Sequence, residues 1–351
     1  MNKFEIKTVL LGVLNKRTEE ENKIFEKIIQ SNIDWSYITG ELIRHRLNGY
    51  FLNCLTNEQK KLIFKKIILS FDLLCNIYEV CNKKMLSFAE KIFAEANKEN
   101  IKIAGLKGLV FNTSIYNLKT RKSNDLDILI HEKDLLKFDK IMKRMGFIQS
   151  FDGGISEATK KEKLIQRLNY HDLVPYCKRI NSPYLSHIEI DVNFHFDNKN
   201  HDITKEILND GLHIYEKNGY SIQGLKWQNH LLFLCVHFYR EASNTIWRKG
   251  ARDVDLYKLV DIENMFRSYT ENQLYEWIDS VRKFNLEKQC YFTLFYINKF
   301  YPKKLYKNLM KKIKLKNNSY IYQIYVNGEN KIIKRKKNFF DEAFDMHYEK
   351  K

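Results

Sequence analysis

Proline and glycine are scarce, at 3 and 13 of 351 residues. With so few chain breakers, no Pro/Gly-rich or other low-complexity linker divides the chain, and no internal repeat is visible. Cysteine lacks any ligand-like spacing: Cys54, Cys75, Cys81, Cys177, Cys235 and Cys290 include no C-x-x-C and lie mostly in apolar surroundings. That excludes a zinc knuckle and a disulfide framework, and it is the usage expected of reduced core thiols in a cytoplasmic protein. Long apolar runs are also missing. None approaches the ~18 residues that a membrane span requires, so no membrane partner is expected. At the N-terminus only Val9–Leu14 follows Lys3 and Lys7, without a small-residue cleavage site, so no signal peptide is expected. There is no P-loop and no Ser/His/Asp constellation.

Lysine and arginine, by contrast, are abundant: 60 against 43 aspartates and glutamates, for a net charge of +17. Such a balance favours a polyanionic partner such as a nucleotide or RNA, and a coding bias toward Lys, Asn and Ile produces it equally well. Hydrophobic residues make up 44% and aromatic residues 14%, which excludes a disordered chain. A chain of this length buries a substantial core and accommodates two or three structural units.

Chemistry concentrates between Ile101 and Ile130. An apolar run, I-K-I-A-G-L, ends at Lys107-Gly108, a helix-like segment continues through Tyr116, and R-K-S-N-D-L-D-I-L-I follows. Read as a strand, Asp125–Ile130 sets Asp125 and Asp127 on one face and Leu126, Ile128 and Ile130 on the other. Neighbouring carboxylates repel, so such a pair persists where a cation or a proton neutralises it. A second segment, H-I-E-I-D-V-N-F-H-F from His187 to Phe196, alternates apolar and polar residues strictly and predicts a strand. Its polar face offers Glu189 and Asp191 as a third acid, with Asn193 and His195 beyond.

The order K-G, helix, R-x-x-N-D-x-D-h-L-h, a helix ending M-G-F, then h-E-h-D on a later strand resembles the uncharacterised nucleotidyltransferase family of the DNA polymerase beta superfamily. The resemblance is close over about residues 100–200 and looser on both sides. It implies an α+β fold, with a mixed β-sheet core and helices flanked by an N-terminal helical segment (1–98) and a C-terminal helical domain with a basic tail (201–351), the core itself spanning 99–200. It implies Asp125, Asp127 and Asp191 as catalytic metal ligands and Gly108 as the phosphate-facing glycine. The implied cofactor is Mg2+, with Mn2+ as a substitute, and the implied partner is a nucleoside triphosphate. Two features depart from the pattern: Leu109 follows Gly108 where serine or glycine is usual, and Asn193 stands two residues after Asp191 where relatives carry histidine.

Around this core the chain reads as helical. Thr56-Asn57-Glu58-Gln59 is a capping box opening an uninterrupted apolar-periodic stretch to Ala96, either one helix or two. Lys133–Met145 has an apolar face and Gly146 at its C-cap position, Ser156–Leu168 is a polar helix, and His171–Tyr176 reads as a strand. From Ile203 onward helices are expected at Trp227–Glu241, Val254–Phe266, Glu271–Phe284 and Gln289–Phe300. Thr270–Gln273 caps the third of these, and a lysine-dense segment from Lys303 to Lys337 follows. A second D-x-D, Asp253 and Asp255, falls in a helical stretch, where residues i and i+2 do not face each other.

Nucleotidyl transfer requires positioning and cation placement above all. Carboxylates two apart on a strand lie about 6.6 Å apart at Cα, close enough to bridge two metals about 3.5–4 Å apart. Gly108 at a helix start exposes amides to phosphate oxygens. Lys107 and Arg121 are the nearest cations by sequence, and Arg121 suits bidentate contact with a β or γ phosphate. The expected activity is transfer of a nucleoside monophosphate, from ATP by default, to a small molecule, peptide, protein or RNA. The competing readings are a catalytically degenerate member of the same fold that binds nucleotide, RNA or a protein, and a D-x-D glycosyltransferase. The helical character of the first hundred residues disfavours the glycosyltransferase.

Overall fold

The computed structural model describes residues 3–315, 317–326, 331–335, 337–345 and 348. Parts of the lysine-dense segment, residues 316, 327–330 and 336, lie outside the described residues. Two compact units emerge: one comprises the residues up to Asp72 together with those from Leu231, and the other is Leu73–His230.

The Leu73–His230 unit carries the sheet. Seven strands, β1 (Ile103–Gly105), β2 (Leu126–Ile130), β3 (Ile148–Gln149), β4 (Tyr176–Arg179), β5 (His187–Asn193), β6 (Leu212–Lys217) and β7 (Tyr220–Leu225), are ordered β3-β4-β5-β2-β1-β7-β6. β2 runs parallel to β5 and β1 parallel to β7, and the other neighbours are antiparallel. With its helices this is the α+β architecture expected from the sequence.

Alternation decides which face is greasy. Leu126, Ile128 and Ile130 of β2 and Ile188, Ile190 and Val192 of β5 enter one core. There they meet Met85, Leu86, Ala89, Ile92, Phe93 and Ala96, a stripe at helical spacing on the helix Lys65–Lys98, and Phe138, Ile141 and Met142 from the helix Leu135–Arg144. Each of these side chains larger than alanine contributes about 1.5–3 kcal/mol on burial. The apolar face is thereby anchored, and it leaves the acids on the other.

The stretch after Thr56 forms two helices, Asn57–Lys61 and Lys65–Lys98, one of the two readings open from the sequence, and the Thr56/Gln59 capping box opens the first. The fold departs from the sequence reading at three places. The segment after Lys107 forms only a five-residue helix, Gly108–Asn112, followed by turns. The strand expected at His171–Tyr176 begins instead at Tyr176. Asp172 makes only an isolated bridge to Asn193, and Pro175, which has no N–H, cannot sit in a strand paired on both sides. Finally, residues 212–225, expected within a helical region, form the β6–β7 hairpin. Its turn is Asn218-Gly219, both with positive φ (57° and 79°), as a two-residue type I′ turn demands.

The other unit is mainly helical and includes Trp35–Arg44, Tyr257–Phe266, Glu271–Lys283, Glu287–Phe300 and Lys304–Ile313. The Thr270/Gln273 capping box is formed, and the helix Glu287–Phe300 stops just before Pro302. All six cysteines are free, and five of them are buried. Among the described residues no helix is long and apolar enough to cross a membrane.

Candidate active site

The parallel register of β2 and β5 pairs Asp127 with Asp191 as direct neighbours, and Leu126 with Ile190 on the opposite face. Adjacent strands lie about 4.8 Å apart, so the two carboxyl groups share one small region of the sheet. Asp125 stands one residue before β2 and acts on both. Burial pushes Asp127 up to about 6 against the pull of Lys107, with Asp125 adding to the rise. Asp191 is driven well above the ordinary carboxylate range by burial, then by Asp125 and Asp127. Glu189, two residues earlier on the same face, is raised by burial and by Asp125. Four acids thus converge on a face where their negative charges oppose one another.

Lys107 is the first counterweight. Its Nζ lies 2.7 Å from Asp127 Oδ1. Its backbone is held in an uncommon conformation, φ 44° and ψ −115°, which costs a non-glycine residue on the order of 1–3 kcal/mol. Two hydrogen bonds hold that turn: Leu106 N–H donates to the Asp127 carbonyl at 3.0 Å, and Lys107 N–H donates to His230 Nε2 at 3.1 Å. An acceptor at Nε2 requires a neutral imidazole with its proton on Nδ1. Complete burial, with Arg121 nearby, accordingly lowers His230 to about 3.

Arg121 is the second cation. Its guanidinium is buried, donates from Nη1 to Ser123 Oγ at 3.3 Å, and lies 5.8 Å from the centre of the Phe111 ring. The loop that carries it is clamped by Asn82 of the helix Lys65–Lys98. The Asn82 amide donates to the Leu118 and Arg121 carbonyls, both at 2.8 Å, and its Oδ1 accepts from Ser123 N–H at 3.3 Å. Gly108 is required by close packing at this spot: a Cβ there would lie 2.3 Å from Ser123 Oγ and 2.7 Å from Arg121 Nη1. With only five residues in the helix that follows, a helix dipole contributes little, and the steric argument takes its place.

Asp125, Asp127, Asp191, Lys107, Arg121 and Gly108 therefore lie in one neighbourhood of one unit. Asn82, Ser123 and His230 belong with them and went unread in the sequence, where Asn82 and His230 look like ordinary polar residues of helices. Asn193 is turned to structural use, its amide donating to the Ile128 carbonyl at 3.2 Å. His195 packs on the ring of Phe194 and pairs with Asp202 at 3.2 Å. In the other unit His237 contacts Glu241 at 3.1 Å, and Glu241 pairs with Lys258.

A mixed sheet that holds acids on neighbouring parallel strands beside a glycine turn and two cations is suited to handling a polyphosphate, and the chain's family is one of nucleotidyltransferases. It belongs to the family described as uncharacterised nucleotidyltransferase, a model of which matches residues 31–302. Comparison with curated proteins and with solved structures gave no significant match.

Proposed function

We propose that this protein transfers a nucleoside monophosphate from a nucleoside triphosphate, ATP by default, to a hydroxyl or similar acceptor, releasing pyrophosphate. The observation that carries this reading is the pairing of Asp127 with Asp191 across parallel strands, with Asp125 beside them. The donor set fits magnesium: three hard carboxylates whose mutual repulsion a divalent cation would relieve, one of them already holding the ammonium of Lys107 in a cation's place. Mg2+, or Mn2+ in its stead, held by Asp125, Asp127 and Asp191 would supply charge neutralisation at the phosphate oxygens and lower the acceptor hydroxyl's pKa.

The protein's own groups do the positioning. Arg121, oriented by Ser123 and by the Asn82 clamp, offers a planar guanidinium to the β or γ phosphate. Lys107 neutralises Asp127 and on nucleotide binding exchanges that partner for a phosphate oxygen. Neutral His230 fixes the Lys107 backbone, and Gly108 lets the turn approach Arg121 and Ser123. The acceptor oxygen attacks the α-phosphorus while the bond to pyrophosphate breaks, and a proton leaves the acceptor. Candidate acceptors are a small molecule, a peptide, a protein side chain and an RNA end.

Purified protein incubated with each of the four triphosphates, Mg2+ and candidate acceptors tests the reading: metal-dependent pyrophosphate release, lost in Asp127→Asn, is expected. The absence of both triphosphate binding and pyrophosphate release with every donor overturns it. The Lys107–Asp127 ion pair and Leu109 after Gly108 favour a second reading, nucleotide binding without chemistry. Calorimetry with a non-hydrolysable triphosphate separates the two. Binding that disappears with the metal and in Asp125→Ala/Asp127→Ala belongs to the catalytic site, and metal-indifferent binding belongs to a binding module.

A further inference from the structure

Beside the acids, β4 and β5 bring three donors of a different chemistry together. Cys177 and Glu189 are direct partners in the antiparallel register, and His187 lies two residues before Glu189 on the same face of β5. One ligand atom from each lies within 4.8 Å of the others. Cys177 Sγ is 3.9 Å and His187 Nε2 is 3.4 Å from the same oxygen, Glu189 Oε2. In a tetrahedral zinc site with Zn–S about 2.3 Å and Zn–N and Zn–O about 2.0–2.2 Å, the ligand–ligand edges are about 3.3–3.7 Å. Both measured edges already lie close to that range.

Three further features point to a cation. Glu189 is half-buried, and no lysine or arginine pairs with it among the described residues. The imidazole of His187 is oriented from behind: Nδ1 hydrogen-bonds Ser186 Oγ at 2.9 Å, which turns Nε2 toward Glu189, the outer contact that ligating histidines usually have. The Ser150–Gly154 loop presses on the same ring, since a Cβ on Gly153 (φ +71°) would lie 2.9 Å from His187 Cε1 and Nδ1. The ring is thus held in place on two sides.

We infer that Cys177, His187 and Glu189 form a binding site for a borderline-soft divalent cation of the zinc class, with a fourth position left for water or a substrate group. Thiolate and imidazole disfavour Mg2+ and select zinc-like ions, so the site is chemically distinct from the carboxylate set two residues along β5. It is separate from the three acids assigned to Mg2+, Asp125, Asp127 and Asp191, although the charge of Glu189 also acts on Asp191. Such a cation would tie β4 to β5 beside Asp191 and leave Asp191 as the third acid of the carboxylate set.

Cobalt(II) titration of the chelator-treated full chain tests this. One equivalent is expected to produce a near-ultraviolet thiolate-to-cobalt band together with the visible bands of a tetrahedral site. The thiolate band should vanish in Cys177→Ser and persist in Asp127→Asn/Asp191→Asn. His187→Gln, a change at a partly exposed position, should weaken cobalt binding by at least about 100-fold, the upper end of what loss of a mere orienting partner costs. Absence of the thiolate band, its survival in Cys177→Ser, or unchanged affinity in His187→Gln overturns the assignment.

Discussion

The chain contains two D-x-D motifs, and the two units surround them with different neighbours. At Asp125-x-Asp127 the carboxylates lie at the start of a buried strand and meet further acids, Asp191 and Glu189, so that burial and like charge drive Asp127 and Asp191 upward. At Asp253-x-Asp255 the same pattern lies at the end of the short helix Lys249–Val254, where burial raises both acids as well but the charged groups acting on them are mainly cations. Asp253 accepts from Tyr348 at 2.8 Å and from Arg335 at 3.3 Å, while Lys258, Arg46 and His45 counter the burial of Asp255. Nearby Glu263 is surrounded by Arg267, Lys303 and Tyr306 at 2.6–2.9 Å. Buried acids matched by cations hold a fold together; buried acids crowded against one another await a ligand.

Substitutions can break this contrast. Asp127→Asn or Asp191→Asn should lower pyrophosphate release by about 10³-fold or more, about 4 kcal/mol in the barrier, while circular dichroism remains native. Asp253→Asn should leave turnover within a few-fold. Arg335→Leu removes the buried cation shared by Asp253 and Glu342 and leaves Arg248 at 3.6–4.0 Å facing them. It should destabilise the fold by about 3–5 kcal/mol in denaturant titration. Gly108→Ala forces a methyl group onto Ser123 and Arg121 and should cost about 1–3 kcal/mol of stability, together with triphosphate affinity. Smallest and of opposite sign, Asp191→Asn removes a repelling charge and should raise the melting temperature of metal-free protein by about 2 °C, the effect of roughly 1 kcal/mol. Added Mg2+ should stabilise the parent protein more than this variant. A fall in the variant's metal-free stability would show that the four acids are not opposed as described.

Legibility followed periodicity. β5 alternates over its whole length and β2 from Leu126 to Ile128, before Leu129 breaks the pattern, so their polar residues could be sorted in advance. The β6–β7 hairpin could not be sorted in this way. β6 is an edge strand of mixed exposure, and β7 carries Gly224, where a Cβ would meet Val110 at 2.8 Å. The Asn218-Gly219 turn was nonetheless present as a signal and outweighs the helical reading of that region. The strand expected at His171–Tyr176 was displaced by Pro175, whose missing N–H matters only once both neighbouring strands are known. Lys107 and Arg121 stood out as nearby cations, whereas Ser123, Asn82 and His230 carried no pattern, because they act through individual hydrogen bonds, and those of Asn82 and His230 reach segments distant in the chain.

By itself the sequence determined which side chains share a face: alternation with period two and helical stripes follow from backbone geometry and the burial of apolar groups, and both are local. Only the tertiary structure decided that Asp127 stands beside Asp191, that His230 receives the Lys107 amide, and that Cys177 lies against Glu189. Those pairings depend on the register between strands and on packing between segments far apart in the chain, and a shift of one residue in that register would send the same acids to the opposite face.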